Sequence, residues 1–117
     1  MPPDNRLPCP QIAGNVPLPL TQRNCRVICE LAGKPATKVF AGADRPLRRT
    51  LVTAEHVHGK TGLDGPVMTA PTMPLQEQHG VDFIIETLRS APAHSVTLCP
   101  LGPLANIAMA FQKAPDV

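Results

Sequence analysis

The residues of this 117-residue chain best equipped for chemistry crowd into AEHVHGKTGLDG, Ala54 to Gly65. There His56, His58, Lys60, Thr61 and Asp64 stand among three glycines. Neither helical nor strand periodicity runs through the stretch, so it reads as a loop, where function is often carried. On an extended segment, residues two apart face the same way, so His56 and His58 could share a metal ion, with a cysteine completing a small zinc site. GKTGLD behind them offers only Asp64 as a further ligand; the ordinary alternative is one solvated and one structurally bonded histidine. Asn15, in IAGNVPL, has an amide that both donates and accepts, suited to a vicinal diol such as that of ribose. An asparagine tolerating a left-handed turn is the plainer reading. In PLGPLANIA a glycine precedes a helix start whose free N–H groups would attract an anion. The lysine and glycine spacing of a Walker loop is absent, and a tight strand-to-helix connection serves as well.

The elements that must position these residues follow from periodicity. Met1 to Gln11 holds four prolines and reads as irregular. Thr21 can cap a helix over 21–32, with Cys25, Ile28, Leu31 and Ala32 at helical spacing and Gly33 as its stop. TKVFAG reads as a short strand near Val39. From Ala43 to Gly80 no period is sustained, and the prolines at 46, 66, 71 and 74 forbid a long helix. Val81, Ile84, Ile85 and Leu88 mark one face of a helix over 81–90. SVTLC reads as a β-branched strand over 96–99, and Leu104, Ile107, Ala108 and Phe111 predict a helix over 103–113. Strands alternating with helices predict an α/β fold with a parallel sheet. In such sheets ligands gather beyond the carboxyl ends of the strands, which points to Gly14-Asn15, the loop after Phe40, and Pro100-Leu101-Gly102.

Composition bounds the function. A hydrophobic content of 43% with 17% charged residues fits one modest globular domain. The net charge of +2, without an arginine-rich stripe interleaved with aromatics, gives no sign of a nucleic-acid partner. No apolar run approaches the roughly 20 residues that span a bilayer, and MPPDNRLPCPQ lacks the apolar centre of a secretory signal, so a cytoplasmic location is expected. The four cysteines lack C-x-x-C pairs and read as free thiols: Cys9 in the proline-rich tail, Cys25 and Cys29 on a helix, Cys99 ending a strand.

AGNVPLPLTQRN, VFAGADRPLRR, LVTAEHVHGKTGLDG, FIIETL and LGPLANIA, in that order, closely resemble the inosine-uridine preferring nucleoside hydrolases. The resemblance runs from about Ile12 to Val117, a partial domain preceded by a non-matching segment 1–11. It implies an open, mostly parallel, Rossmann-like α/β sheet with flanking helices, incomplete in this chain. The activity it implies is hydrolysis of the N-glycosidic bond of purine and pyrimidine ribonucleosides by water activated with calcium and an aspartate. By the same resemblance Asn15 contacts the ribose, and His58 lies near the leaving base as a general acid. Leu101 offers its backbone carbonyl to calcium, and the assembly is a homodimer or homotetramer.

The family's opening D-x-D-P-G-x-D-D signature supplies most calcium carboxylates and the general base. Here MPPDNRLPCPQ precedes IAGN, with Asp4 its sole acidic residue. The expectation is therefore an interior fragment of such a hydrolase, inactive as an isolated chain. The alternative is a non-catalytic remnant or nucleoside-binding protein.

Overall fold

The computed structural model describes residues 8–117; the start of the proline-rich tail, Asp4 included, lies outside the described residues. Seven elements follow in order: β1 (Cys9–Gln11), α1 (Leu18–Leu31), β2 (Val39–Ala41), α2 (Glu55–His58), β3 (Leu75–Gln76), α3 (Gly80–Ser90) and α4 (Ala105–Lys113). The strands form one parallel sheet in the order β1-β2-β3, with Cys9 beside Val39, Pro10 beside Phe40, and Phe40 in turn beside Gln76. The open α/β class expected from the alternation is the one observed.

Helices cover both faces of this small sheet, as parallel strands require. Side chains alternate across a strand, so Pro10 and Phe40 share one face. On that face Pro10 meets the start of α3 at Gly80, and Phe40 stacks on Phe83 with ring centroids 4.0 Å apart. Cys9 and Val39 share the other face, against α1, and Val39 is 0% exposed. The main apolar cluster lies where α4 packs on α3: Val81, Ile84 and Ile85 against Ala110 and Ala114. Those α3 residues are the face that periodicity identifies. His79 caps α3, its Nδ1 accepting the Val81 N–H at 3.2 Å. No helix among the described residues is long and apolar enough to cross a membrane.

Several sequence expectations are corrected. Cys9–Gln11 is a strand where an irregular tail was expected. Pro10 is tolerated because β1 is an outer strand of the described sheet, where a missing N–H costs no central ladder bond. Helix α1 begins three residues before Thr21, whose hydroxyl donates to Leu18 O at 3.1 Å instead of capping. Pro17 and Pro19 preset the backbone there, and the first helical turn has no use for their absent N–H groups. At the other end Gly33, with φ of 67°, does stop the helix. Its N–H reaches Glu30 O at 3.0 Å and the Lys34 N–H reaches Cys29 O at 2.8 Å, the paired bonds of a left-handed C-terminal cap.

The expected strand over 96–99 is absent: Val96–Cys99 pairs with no described strand and is largely exposed, so Cys99 ends no strand. A β-branched run becomes a strand only where a neighbour completes its ladder. β3, two residues long, was too short to leave a periodic signal.

A compact domain of this length has a radius of gyration near 13 Å; this chain has 15.0 Å. Leu31, Val52, Leu101 and Leu104 lie exposed, and the outer edges of β1 and β3 are unpaired among the described strands. Open edges and bare apolar surface both favour association. The isolated chain is therefore expected to self-associate, read as high-mass species by light scattering after gel filtration. A monodisperse monomer with a sharp cooperative melt would contradict this.

Candidate functional site

The carboxyl ends of β1 and β2 are joined to each other and to α4 by one side chain. Asn106 is 5% exposed; its Oδ1 accepts the Ala43 N–H at 2.7 Å and its Nδ2 donates to Gln11 O at 3.0 Å. The Ala13 N–H adds a bond to Ala43 O at 3.0 Å. A Cβ on Gly42 would overlap both the Asn106 amide and Gln11 O, so only glycine fits between the two strand ends. This tie sets the direction in which Gly14 and Asn15 leave β1. Nothing in the spacing of LGPLANIA marks Asn106 as its centre, because both partners lie far away in sequence.

Asn15 is exposed just beyond this junction, and its carbonyl accepts the Ala54 N–H at 2.7 Å. Ala54 precedes α2, and its own carbonyl accepts the Val57 and His58 N–H groups at 2.9 Å each. The backbone of Asn15 is thus bonded directly to the turn that carries His58, across almost forty residues of sequence. Pro103 lies against Gly14, 3.4 Å from where a Cβ would stand, and Gly102 faces Ile12. The segment of Leu101 is thereby held beside the same strand end, with Leu101 itself 99% exposed. The three segments read as site-bearing converge at one end of the sheet.

One expectation about this region fails. His56 and His58 occupy a single helical turn instead of an extended segment. At about 100° per residue they point some 200° apart, so they do not face a common ion. Both are exposed. Among the described residues no group of three or more His, Cys, Asp or Glu side chains is arranged to hold a metal. For calcium, which takes six to eight oxygen ligands with several carboxylates among them, the described residues do not fit: the Leu101 carbonyl has no carboxylate cluster beside it.

The two acidic residues of the loop serve the loop. Asp64 accepts the N–H groups of Lys60 and Thr61 at 2.9 Å each and the Thr61 hydroxyl. Asn24 of α1 holds the turn from behind, its Nδ2 donating to Thr61 O at 2.6 Å. The Thr61 hydroxyl first, then the two N–H groups, hold the Asp64 carboxyl below its ordinary range. Glu55 is lowered likewise, chiefly by the Thr53 hydroxyl. A depressed carboxyl stabilises its fold above the unfolded value near 4 and loses that contribution as pH falls through the folded value. Asp64→Ala is therefore expected to speed amide exchange at Lys60 and Thr61 several-fold at neutral pH. Unchanged exchange would show that the loop is held from α1 alone.

Two recesses adjoin these elements. One of about 220 Å³ is lined by Ile12, Gly14, Arg45, Arg49 and Pro103, at the converging segments. That is below the usual 300–1,000 Å³ of a ligand pocket, as one wall of a larger site would be. A wider one of about 540 Å³ lies against α3 and α4, bounded by the Asp82–Lys113 ion pair; neither recess is lined by Asn15, His58 or Leu101 themselves.

Comparison with known proteins gives a consistent outcome. The family described as inosine-uridine preferring nucleoside hydrolase matches residues 10–117. An uncharacterized protein of Schizosaccharomyces pombe is 48% identical over 106 residues, which are 91% of this chain and 34% of that protein. The pyrimidine-specific ribonucleoside hydrolase RihB of Escherichia coli is 38% identical over 91% of this chain and 33% of its own length. Among solved structures, a purine-preferring ribonucleoside hydrolase from Gardnerella vaginalis superposes with a TM-score of 0.82 at 28% identity, covering 90% of this chain and 34% of that one. A plant nucleoside hydrolase, PpNRh1, superposes with a TM-score of 0.75 at 29% identity, over 87% and 32% of the two chains. The chain spans about a third of the length of the relatives it matches.

Proposed function

Because the chain belongs to the inosine-uridine preferring nucleoside hydrolase family, we propose that it forms part of the nucleoside pocket of an enzyme that hydrolyses the N-glycosidic bond of ribonucleosides. The observation that carries this reading is the convergence of Asn15, the His58 turn and the Leu101 segment at the carboxyl ends of parallel strands. In this reading the Asn15 amide orients the ribose hydroxyls, donating from its nitrogen and accepting at its oxygen. His58, on the neighbouring turn, delivers a proton to the departing base so that it leaves neutral. No step of this reading passes through calcium. The described residues of this chain do not assemble its ligand shell, so the chain alone binds the nucleoside without cleaving it. The Leu101 carbonyl, a cytoplasmic location and homo-oligomeric assembly belong to the same proposal.

Titrating labelled chain with inosine and with uridine tests it by NMR. Shift changes centred on Asn15 and His58, weakened in Asn15→Ala, are expected. Changes confined to the recess between α3 and α4, or none at all, would refute the assignment.

A further inference from the structure

Arginines that the nucleoside reading leaves unused gather at one recess. The arginines of the helices are engaged: Arg23 on Asn24, Arg26 on Gln22 and Met73, and Arg89 on Asp116. In the loop after β2, Arg45, Arg48 and Arg49 have no hydrogen-bond or ion-pair partner among the described residues. Arg45 and Arg49 line the recess of about 220 Å³ beyond the carboxyl ends of β1 and β2, and Arg48 does not. Among the described residues of its wall, Thr50 is the one other polar side chain, a further donor, and none is acidic. We propose that this recess is a binding site for a phosphate group, held by Arg45, Arg49 and Thr50.

The chemistry of the wall selects the ligand. A guanidinium is always charged and presents a planar fork of N–H donors without an acceptor, which meets phosphate oxygens two at a time. Two like charges at one recess repel, and an anion between them reverses the sign of that interaction. A phosphate monoester carries about −1.5 to −2 charges at pH 7 and three acceptor oxygens, enough for both forks and a hydroxyl. A carboxylate, with a single charge, answers only one fork. Buried Ala13 and the apolar Leu51 and Pro103 complete the wall, so water screens these charges less than on open surface. The place fits as well, since ligands of parallel sheets gather beyond the carboxyl ends of the strands. The wall includes Gly14, chain neighbour of Asn15, so a phosphorylated ribose held at Asn15 is the source this placement favours. That source rests on the nucleoside reading, whereas the phosphate site itself stands on the recess alone.

The test titrates the labelled chain with inorganic phosphate, ribose 5-phosphate, inosine 5′-monophosphate and inosine at constant ionic strength. Amide and arginine Nε–H signals are followed by NMR. Phosphate and both monoesters are expected to shift Arg45, Arg49 and Thr50, with the monoesters binding more tightly. Arg45→Gln and Arg49→Gln should each weaken the phosphate-bearing ligands about tenfold or more, since each removes a charged fork. Arg48→Gln removes the same charge outside the recess and should leave their affinity unchanged. Equal weakening in all three variants would reduce the effect to general attraction and overturn the proposal. Phosphate shifts centred elsewhere, or none, would overturn it too. Inorganic phosphate bound as tightly as the monoesters would keep the site and assign it to the free ion. Inosine without effect at Asn15, while phosphate still shifts the recess, would refute the nucleoside reading and leave this site standing. All three arginines are exposed, so their replacement spares the core. Should a variant nonetheless fold poorly, the wild-type shift map decides by itself.

Discussion

Incubated with inosine or uridine in the presence of calcium, the isolated chain is expected to release no ribose above the uncatalysed background. Glycoside cleavage needs an activated water or a carboxylate nucleophile beside an oxocarbenium-like transition state. Glu55 and Asp64 are engaged with Thr53 and Thr61 of their own loop, and Asp4 is the sole acidic residue before Asn15. His58 as a general acid contributes a factor of about 10² to 10⁴, whereas enzymes of ordinary efficiency supply about 10⁶ or more. The shortfall belongs to the missing nucleophile, and no proton donor replaces it. Calorimetric titration with calcium should likewise show no tight binding. Calcium-dependent turnover that disappears in Asn15→Ala would mean that the described residues do assemble a working site.

Asn106→Ala is expected to be the most destabilising single substitution outside the apolar cluster. It leaves the Ala43 N–H and the Gln11 carbonyl without their partner in a buried setting. An orphaned buried polar group costs about 1–3 kcal/mol, so the two together should cost about 2–6 kcal/mol. Gly42→Ala strikes the same junction by overlap and should cost a similar amount, about 1–3 kcal/mol. Both compare with a total stability of roughly 5–15 kcal/mol for a whole domain. Arg89→Ala removes an exposed ion pair to Asp116 and should change stability by less than about 1 kcal/mol. Urea midpoints of the three variants check the order. An Asn106→Ala variant as stable as Arg89→Ala would show that the two strand ends hold together without the bridge.

The sequence by itself determined the elements whose burial pattern is local. The bodies of α1, α3 and α4, the strand at Val39 and the stop at Gly33 were legible, since a helical face or a left-handed cap is written in neighbouring residues. The motif blocks also carried the family, while the roles of Asn15 and His58 belong to the proposal. Tertiary structure decided whatever depended on a distant partner. Pro10 sits in a strand because β2 lies beside Cys9 and Gln11, and Val96–Cys99 forms none because no described strand completes its ladder. The Asn106 bridge and the bond from Ala54 to the Asn15 carbonyl each join residues far apart in the chain. Periodicity reports which face of an element is apolar. Hydrogen bonds between elements depend on where their backbones come to lie, and that is set only when the faces pack.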